Sequence, residues 1–167
     1  TRIRTLGRLD VLLTPFYEKD IAEGRYTREE IGEMIKFFLH KFWAAKVPYD
    51  LPFCLCGMDE TGKDVTNEVT TLILECYNSL NIYSPKIHIR VCDSTPPEVI
   101  RQVLSYIRGG NSSFVFVCDN TAIKGLTRVN IEKEDAWDYV PIGCYEPAIW
   151  GKELGCTGCG GINLGKA

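Results

Sequence analysis

Apolar residues recur at helical spacing along the first part of the chain. Leu6, Leu9, Leu12, Leu13, Phe16 and Tyr17 fall on one face, which predicts an amphipathic helix over residues 3–20. Gly24 closes that element or its exit turn. Thr27 and Glu30 have capping-box spacing ahead of Ile31, Met34, Ile35, Phe38, Leu39 and Phe42. A second helix is therefore expected to run to about Lys46 and to pack on the first as a hairpin.

The period then changes. Phe53–Cys56 is a short apolar run bounded by turn residues, read as a buried strand, and Val65, Val69, Leu72, Ile73, Cys76 and Tyr77 return to helical spacing. The alternation repeats: "KIHIRVC" is a strand, Thr95 and Glu98 cap a helix that tolerates Pro96 and Pro97 in its first turn, and Gly109 and Gly110 stop it. "SFVFVC" is β-branched and aromatic, expected as a strand buried on both faces and followed by a short helix over residues 121–126. "EKEDAWDY" supplies a further helical turn, after which Val140–Ile142 lead into Gly143 and Cys144. Strands separated by helices predict an α/β fold with parallel pairing.

Composition narrows the classes. The 167 residues, 45 % hydrophobic and 25 % charged, allow one core of ordinary globular type. A net charge of -3 with no basic run argues against nucleic acid as a partner, and no apolar window is long enough to span a membrane, so a cytoplasmic location is expected. Eight cysteines in a chain with this much aliphatic core suggest reduced thiols rather than a disulfide framework.

The candidate chemistry lies in "IGCYEPAIWGK", residues 142–152. In an extended segment Cys144 and Glu146 would share a face about 7 Å apart, with Tyr145 turned away. Gly143 suits a strand-to-loop bend, and Pro147 argues against a helix interior, so the pair is expected on a loop. Three uses are open: a nucleophile with a base, two metal ligands, or a sulfur radical with a proton acceptor. A cysteine nucleophile wants a cationic partner, and a carboxylate raises its pKa instead. The two histidines, His40 in a helix and His88 in a strand, read as structural or surface residues and nothing in the sequence pairs either with Cys144. Hydrogen-atom transfer uses a neutral thiol, and there a neighbouring carboxylate is an asset.

"IGCYEP" resembles the Gly-Cys-x-Glu-Pro signature of the glycyl radical enzymes, the pyruvate formate-lyase superfamily, in its Cys-x-Glu dehydratase and lyase branch. "GRLDVLLTPFYEKDIAEGRYTREE", "DETGKDVTNEVTTLILE", "TPPEVI" and "EDAWDYVPIGC" resemble further motifs of that family in the same order. The resemblance implies part of a ten-stranded β/α barrel: a helical hairpin over 3–46, strand–helix units over 53–142 and a thiyl-loop segment over 143–160. It implies that Cys144 carries a transient thiyl radical and that Glu146 is the general base, for dehydration or cleavage of a C–N, C–C or C–S bond.

Family members are several times longer and store the radical on a glycine after Arg-Val. Here Arg90-Val91-Cys92-Asp93 and Arg128-Val129-Asn130-Ile131 place no glycine there. The resemblance thus implies an internal piece, inactive alone, that lacks the glycyl radical domain and binds no cofactor itself. The radical would sit on a glycine outside it, installed by an S-adenosylmethionine/iron–sulfur activating enzyme. The implied partners are a small-molecule substrate, the rest of the barrel and radical domain, the activating enzyme, and a second copy in a homodimer, in an anaerobic cytoplasm. Phe53, Cys56 and Tyr145 are candidate pocket residues; Cys56 stands where many relatives show glycine, Tyr145 where an aliphatic is common, and Pro141 would interrupt the strand entering the loop.

Two rival readings remain. Cys54 and Cys56 with Cys156 and Cys159 give the arithmetic of a four-thiolate zinc site or, at 156 and 159, a redox pair; no metal is expected, because Cys54-Leu55-Cys56 is too tight for an ordinary knuckle. A noncatalytic scaffold is the other. Cys76, Cys92 and Cys118 are expected to be buried as small hydrophobes.

Overall fold

The computed structural model describes residues 5–45, 51–153 and 165. Three parallel strands, β1 (Phe53–Cys56), β2 (Ile87–Val91) and β3 (Phe114–Cys118), pair in chain order. Two helices, α3 (Glu68–Leu80) and α4 (Pro97–Arg108), make the crossovers that parallel pairing requires. Phe53, Leu55, Ile87, Ile89 and Phe114 point into one core with Leu39, Ile73, Tyr77, Val99 and Val103.

Helix α1 (Leu9–Ala22) begins six residues later than the periodicity predicts. The reason is a competing use of the backbone: Leu6 N–H donates to the Pro52 carbonyl at 2.9 Å and Cys54 N–H to the Gly7 carbonyl at 2.8 Å, so residues 6–8 run beside β1. Gly7 has φ +73°, and the Trp150 ring stands 2.3 Å from where a Cβ would be. Helix α2 (Arg28–Ala44) has the expected capping box, with Glu30 N–H donating to Thr27 Oγ1 at 3.2 Å and Thr27 N–H to Glu30 Oε2 at 2.8 Å. Both α1 and α2 pack on α3, which takes the place expected for direct hairpin packing. A groove of about 300 Å³ lies between them, lined by Leu13, Phe16, Ile31, Met34 and Phe38.

Thr95 is not the α4 cap. Its hydroxyl donates to Asp64 Oδ2 and accepts from Cys92 N–H at 2.9 Å, while Pro96 occupies the cap position without a side-chain bond. Strand β3 is only half-buried, not covered on both faces, because it is the edge of the described sheet. Cys118 is accordingly exposed and Cys92 part-buried in a polar cluster, so of the three cysteines expected inside only Cys76 is buried.

After α5 (Asp119–Arg128) and α6 (Lys133–Ala136) the chain forms an antiparallel hairpin, β4 (Tyr139–Ile142) and β5 (Glu146–Ile149). The second strand was not anticipated. Pro141 does not interrupt β4 but faces Pro147 across the hairpin. Neither can donate, so the two share a non-hydrogen-bonded position of the ladder. Val140, Ile142 and Ala148 bury against Cys54, on the sheet side away from α3 and α4.

Candidate active site on the hairpin turn

The β4–β5 turn is the three residues Gly143, Cys144 and Tyr145, closed by the Ile142–Glu146 pair. Cys144 is therefore at a turn, not in the extended geometry expected, and Glu146 is the first residue of β5 rather than part of a loop. Gly143 has φ +54°, the conformation anticipated for a glycine at this bend. Glu146 Oε2 stands 2.7 Å from where a Gly143 Cβ would be, and Tyr145 N–H donates to the same oxygen at 3.4 Å. The carboxylate thus folds back over the turn that carries the thiol. Cys144 and Tyr145 are exposed.

The residue beneath the turn is one that sequence reasoning set aside. His88, fully buried in β2, donates from Nε2 to the Cys144 carbonyl at 2.8 Å, and its ring meets the Tyr145 ring edge-on at 6.2 Å. A carbonyl only accepts, so Nε2 carries the hydrogen. Burial pushes the His88 pKa down, with the Cys144 carbonyl and the Glu146 charge acting in the opposite sense. His40 lies exposed on α2, beside Trp43.

Two residues along β2, Arg90 reaches the same side. Its guanidinium makes two hydrogen bonds to Asp119, at 2.9 and 3.0 Å, and donates to the Tyr139 and Trp137 carbonyls at 2.9 and 2.8 Å. The Tyr139 hydroxyl closes the ring on Asp119 Oδ1 at 2.6 Å, and the guanidinium carbon lies 4.1 Å from the Tyr139 ring centroid. Burial works against the Arg90 charge, yet its bonds to Asp119 leave its pKa raised; burial also raises that of Tyr139. This network holds the entry of the hairpin. Its signal in the sequence was the alternation of "KIHIRV", polar at His88 and Arg90 between Ile87, Ile89 and Val91.

Phe53 and Cys56 are fully buried with the helix-side core. Cys56 has φ +62°, a backbone conformation that suits glycine. Its N–H donates to Asp10 Oδ2 at 2.8 Å and its carbonyl accepts from Arg8 Nη2 at 3.3 Å, which offsets the strain. Burial pushes the Cys54 thiol up to about 12 and raises that of Cys56, so both stay protonated. Cys156 and Cys159 lie outside the described residues. Among the described residues no cluster of three or more His, Cys, Asp or Glu has metal-ligating geometry, and no helix is long and apolar enough to cross a membrane.

The model of the pyruvate formate lyase-like family matches residues 2–167, and the chain belongs to that family. It is 28 % identical to (2S)-3-sulfopropanediol dehydratase of Klebsiella oxytoca, over 96 % of this chain and 21 % of that protein. It is 26 % identical to trans-4-hydroxy-L-proline dehydratase of Clostridioides difficile, over 89 % of this chain and 21 % of that protein. The crystal structure of a glycyl radical enzyme from Archaeoglobus fulgidus superposes with a TM-score of 0.78 at 27 % identity, covering 88 % of this chain and 21 % of that one. The α/β arrangement described above is thus part of the β/α barrel of glycyl radical enzymes. The chain spans about a fifth of the length of these relatives.

Proposed function

We propose that this chain is the part of a glycyl radical enzyme that carries the hydrogen-abstracting thiol, Cys144, and its proton acceptor, Glu146. The enzyme dehydrates a small substrate or cleaves its C–N, C–C or C–S bond, in keeping with the dehydratase and lyase names of the relatives. The carrying observation is that the Glu146 carboxylate folds over the turn that presents Cys144 while His88 engages the Cys144 carbonyl. A nucleophilic cysteine needs its imidazole at the sulfur; here the imidazole is committed to backbone, which suits a thiol used as a hydrogen-atom donor and acceptor.

The stored glycyl radical, on a glycine outside residues 1–167 and installed by an S-adenosylmethionine/iron–sulfur activating enzyme, supplies the unpaired electron. Cys144 Sγ, having given up its hydrogen atom, takes one from the substrate carbon: an S–H bond forms, a C–H bond breaks, and the unpaired electron moves to carbon. A hydroxyl on that carbon becomes acidic, and Glu146 accepts its proton. The carbonyl then forms as the bond to the neighbouring leaving group breaks, the leaving group taking the electron pair. In a dehydration the departing hydroxide takes the proton from Glu146 and leaves as water. The carbon radical finally recovers a hydrogen atom from Cys144 Sγ–H.

In this reading residues 3–46, 53–142 and 143–160 are successive segments of one barrel, and the exposed Tyr145 stands near its substrate space; Phe53 and Cys56, candidates on sequence, pack into the helix-side core and are not assigned to it. The rest of the barrel covers the exposed turn and keeps solvent and oxygen from the radical. The intact enzyme is a cytoplasmic homodimer of anaerobic metabolism, and residues 1–167 alone are inactive.

The test uses the full-length, anaerobically activated enzyme. Cys144→Ser is expected to abolish turnover, since a hydroxyl O–H bond is much stronger than a thiol S–H bond, while the paramagnetic signal of the stored glycyl radical persists. Normal turnover in Cys144→Ser overturns the assignment.

A further inference from the structure

We propose that His88 is a positioning residue for the abstracting thiol: its Nε2–H pins the Cys144 carbonyl to β2 and so fixes where Sγ stands. The inference rests on the reading of Cys144 given above. Cys144 sits in the middle of a three-residue turn, where its carbonyl lies outside the β4–β5 ladder. Left to itself such a turn can rock, and Sγ, three bonds from that carbonyl carbon, would rock with it. The 2.8 Å bond from a fully buried imidazole on the central strand, 56 residues away in sequence, removes that freedom.

Two further observations favour positioning over packing. The Nδ1 atom of the same ring is buried without a hydrogen-bond partner among the described residues. Such an unpaired buried atom is destabilising, a burden that an aliphatic like the neighbouring Ile87 or Ile89 would not carry. Arg90, two positions on, holds the Trp137 and Tyr139 carbonyls. Strand β2 therefore grips the hairpin at its entry through Arg90 and at its tip through His88. With both held, the thiol is placed by the sheet and not by the turn.

The experiment compares His88→Gln, His88→Asn and His88→Phe in the full-length activated enzyme. Glutamine can present an N–H near the Nε2 position; asparagine is too short, and phenylalanine fills the volume without a donor. His88→Phe and His88→Asn are expected to lower kcat about 10- to 100-fold, as for a misplaced reacting group, with KM and the stored-radical signal little changed. His88→Gln is expected to recover most of kcat. A packing role predicts the reverse order, with phenylalanine the best replacement, and that order overturns the proposal. If His88→Phe does not fold, the Gln-to-Asn ratio of kcat decides, and equal values overturn it. A fully active His88→Phe beside an inactive Cys144→Ser removes the clamp and leaves the functional reading intact. An active Cys144→Ser removes the functional reading itself.

Discussion

The two faces of the β1–β2–β3 sheet are covered by different means. On the helix side Phe53, Leu55, Ile87 and Ile89 meet α3 and its neighbours through apolar contact, and a polar tie stands at the end of β1, where Asp10 accepts from Cys56 N–H and from the Thr70 hydroxyl. On the hairpin side a small apolar cluster around Cys54 is flanked by Arg90, Asp119, Tyr139 and His88, all buried and joined to the hairpin or its approach by hydrogen bonds. Hydrophobic burial is non-directional and tolerates sliding, whereas a hydrogen bond fixes a donor to one acceptor along one line. Most of the helix side is held by covering, with Asp10 as a directional tie, whereas the turn that carries Cys144 is placed by hydrogen bonds.

The largest expected effect breaks the chemistry that this placement serves. Besides the loss of turnover in Cys144→Ser, Glu146→Gln should lower product formation about 10² to 10⁴-fold through loss of a general base. Deuterium from labelled substrate should still enter the enzyme. Unchanged product formation with the native substrate would remove Glu146 from the role.

The next effect breaks the polar side of the sheet. Arg90→Leu leaves the Asp119 carboxylate buried without its guanidinium and should destabilise the protein by about 3–5 kcal/mol, measured by denaturant unfolding. Ile89→Ala, one residue away on the other face, should cost about 2–5 kcal/mol by cavity formation. The comparison predicts that only Arg90→Leu disproportionately lowers kcat among molecules that remain folded. Equal loss of kcat in both variants would erase the distinction between the faces.

Gly57→Ala should come next, at about 1–3 kcal/mol. Gly57 has φ +89°, and a Cβ there would lie 2.7 Å from Arg90 Nε and 2.9 Å from Asp119 Oδ2, pushing on the ion pair itself. An unfolding midpoint equal to that of the native protein would mean that the pair has room to move.

The smallest effect is a pH dependence. Because burial depresses the His88 pKa below the 6.5 of a free histidine, the unfolded chain binds the proton more readily than the folded one. The contribution to stability is therefore full above about pH 6.5 and is lost as the pH falls towards the folded value. Denaturation midpoints at pH 7.5 and 5.5 should differ more for the native protein than for His88→Gln. The opposite sign would place a charged imidazole beneath the turn.

Much of the fold was legible because it follows from local periodicity. The capping box at Thr27 and Glu30, the four residues of β1 and the glycine stop after α4 each depend on residues within a few positions of one another. Errors arose where a distant group competed for a local one. Thr95 carries a capping side chain, but Asp64, 31 residues away, takes its hydroxyl. Leu6 has helical spacing, but Pro52 takes its N–H. Strand β5 was hidden because Pro147 argues against regular structure until its partner Pro141 is known.

The sequence by itself determined the α/β alternation, the thiol and carboxylate two residues apart, and the glycine that lets the chain turn before them. Only the tertiary structure decided that Glu146 folds over that turn and that His88, read from the sequence as structural or surface, lies beneath it. The physical reason is the parallel register: Cys54 pairs with His88 and His88 with Val115, which sets the imidazole on the sheet face where the hairpin docks. Which carbonyl an imidazole meets 56 residues later depends on how a hairpin docks on that sheet, and no spacing along the chain encodes it.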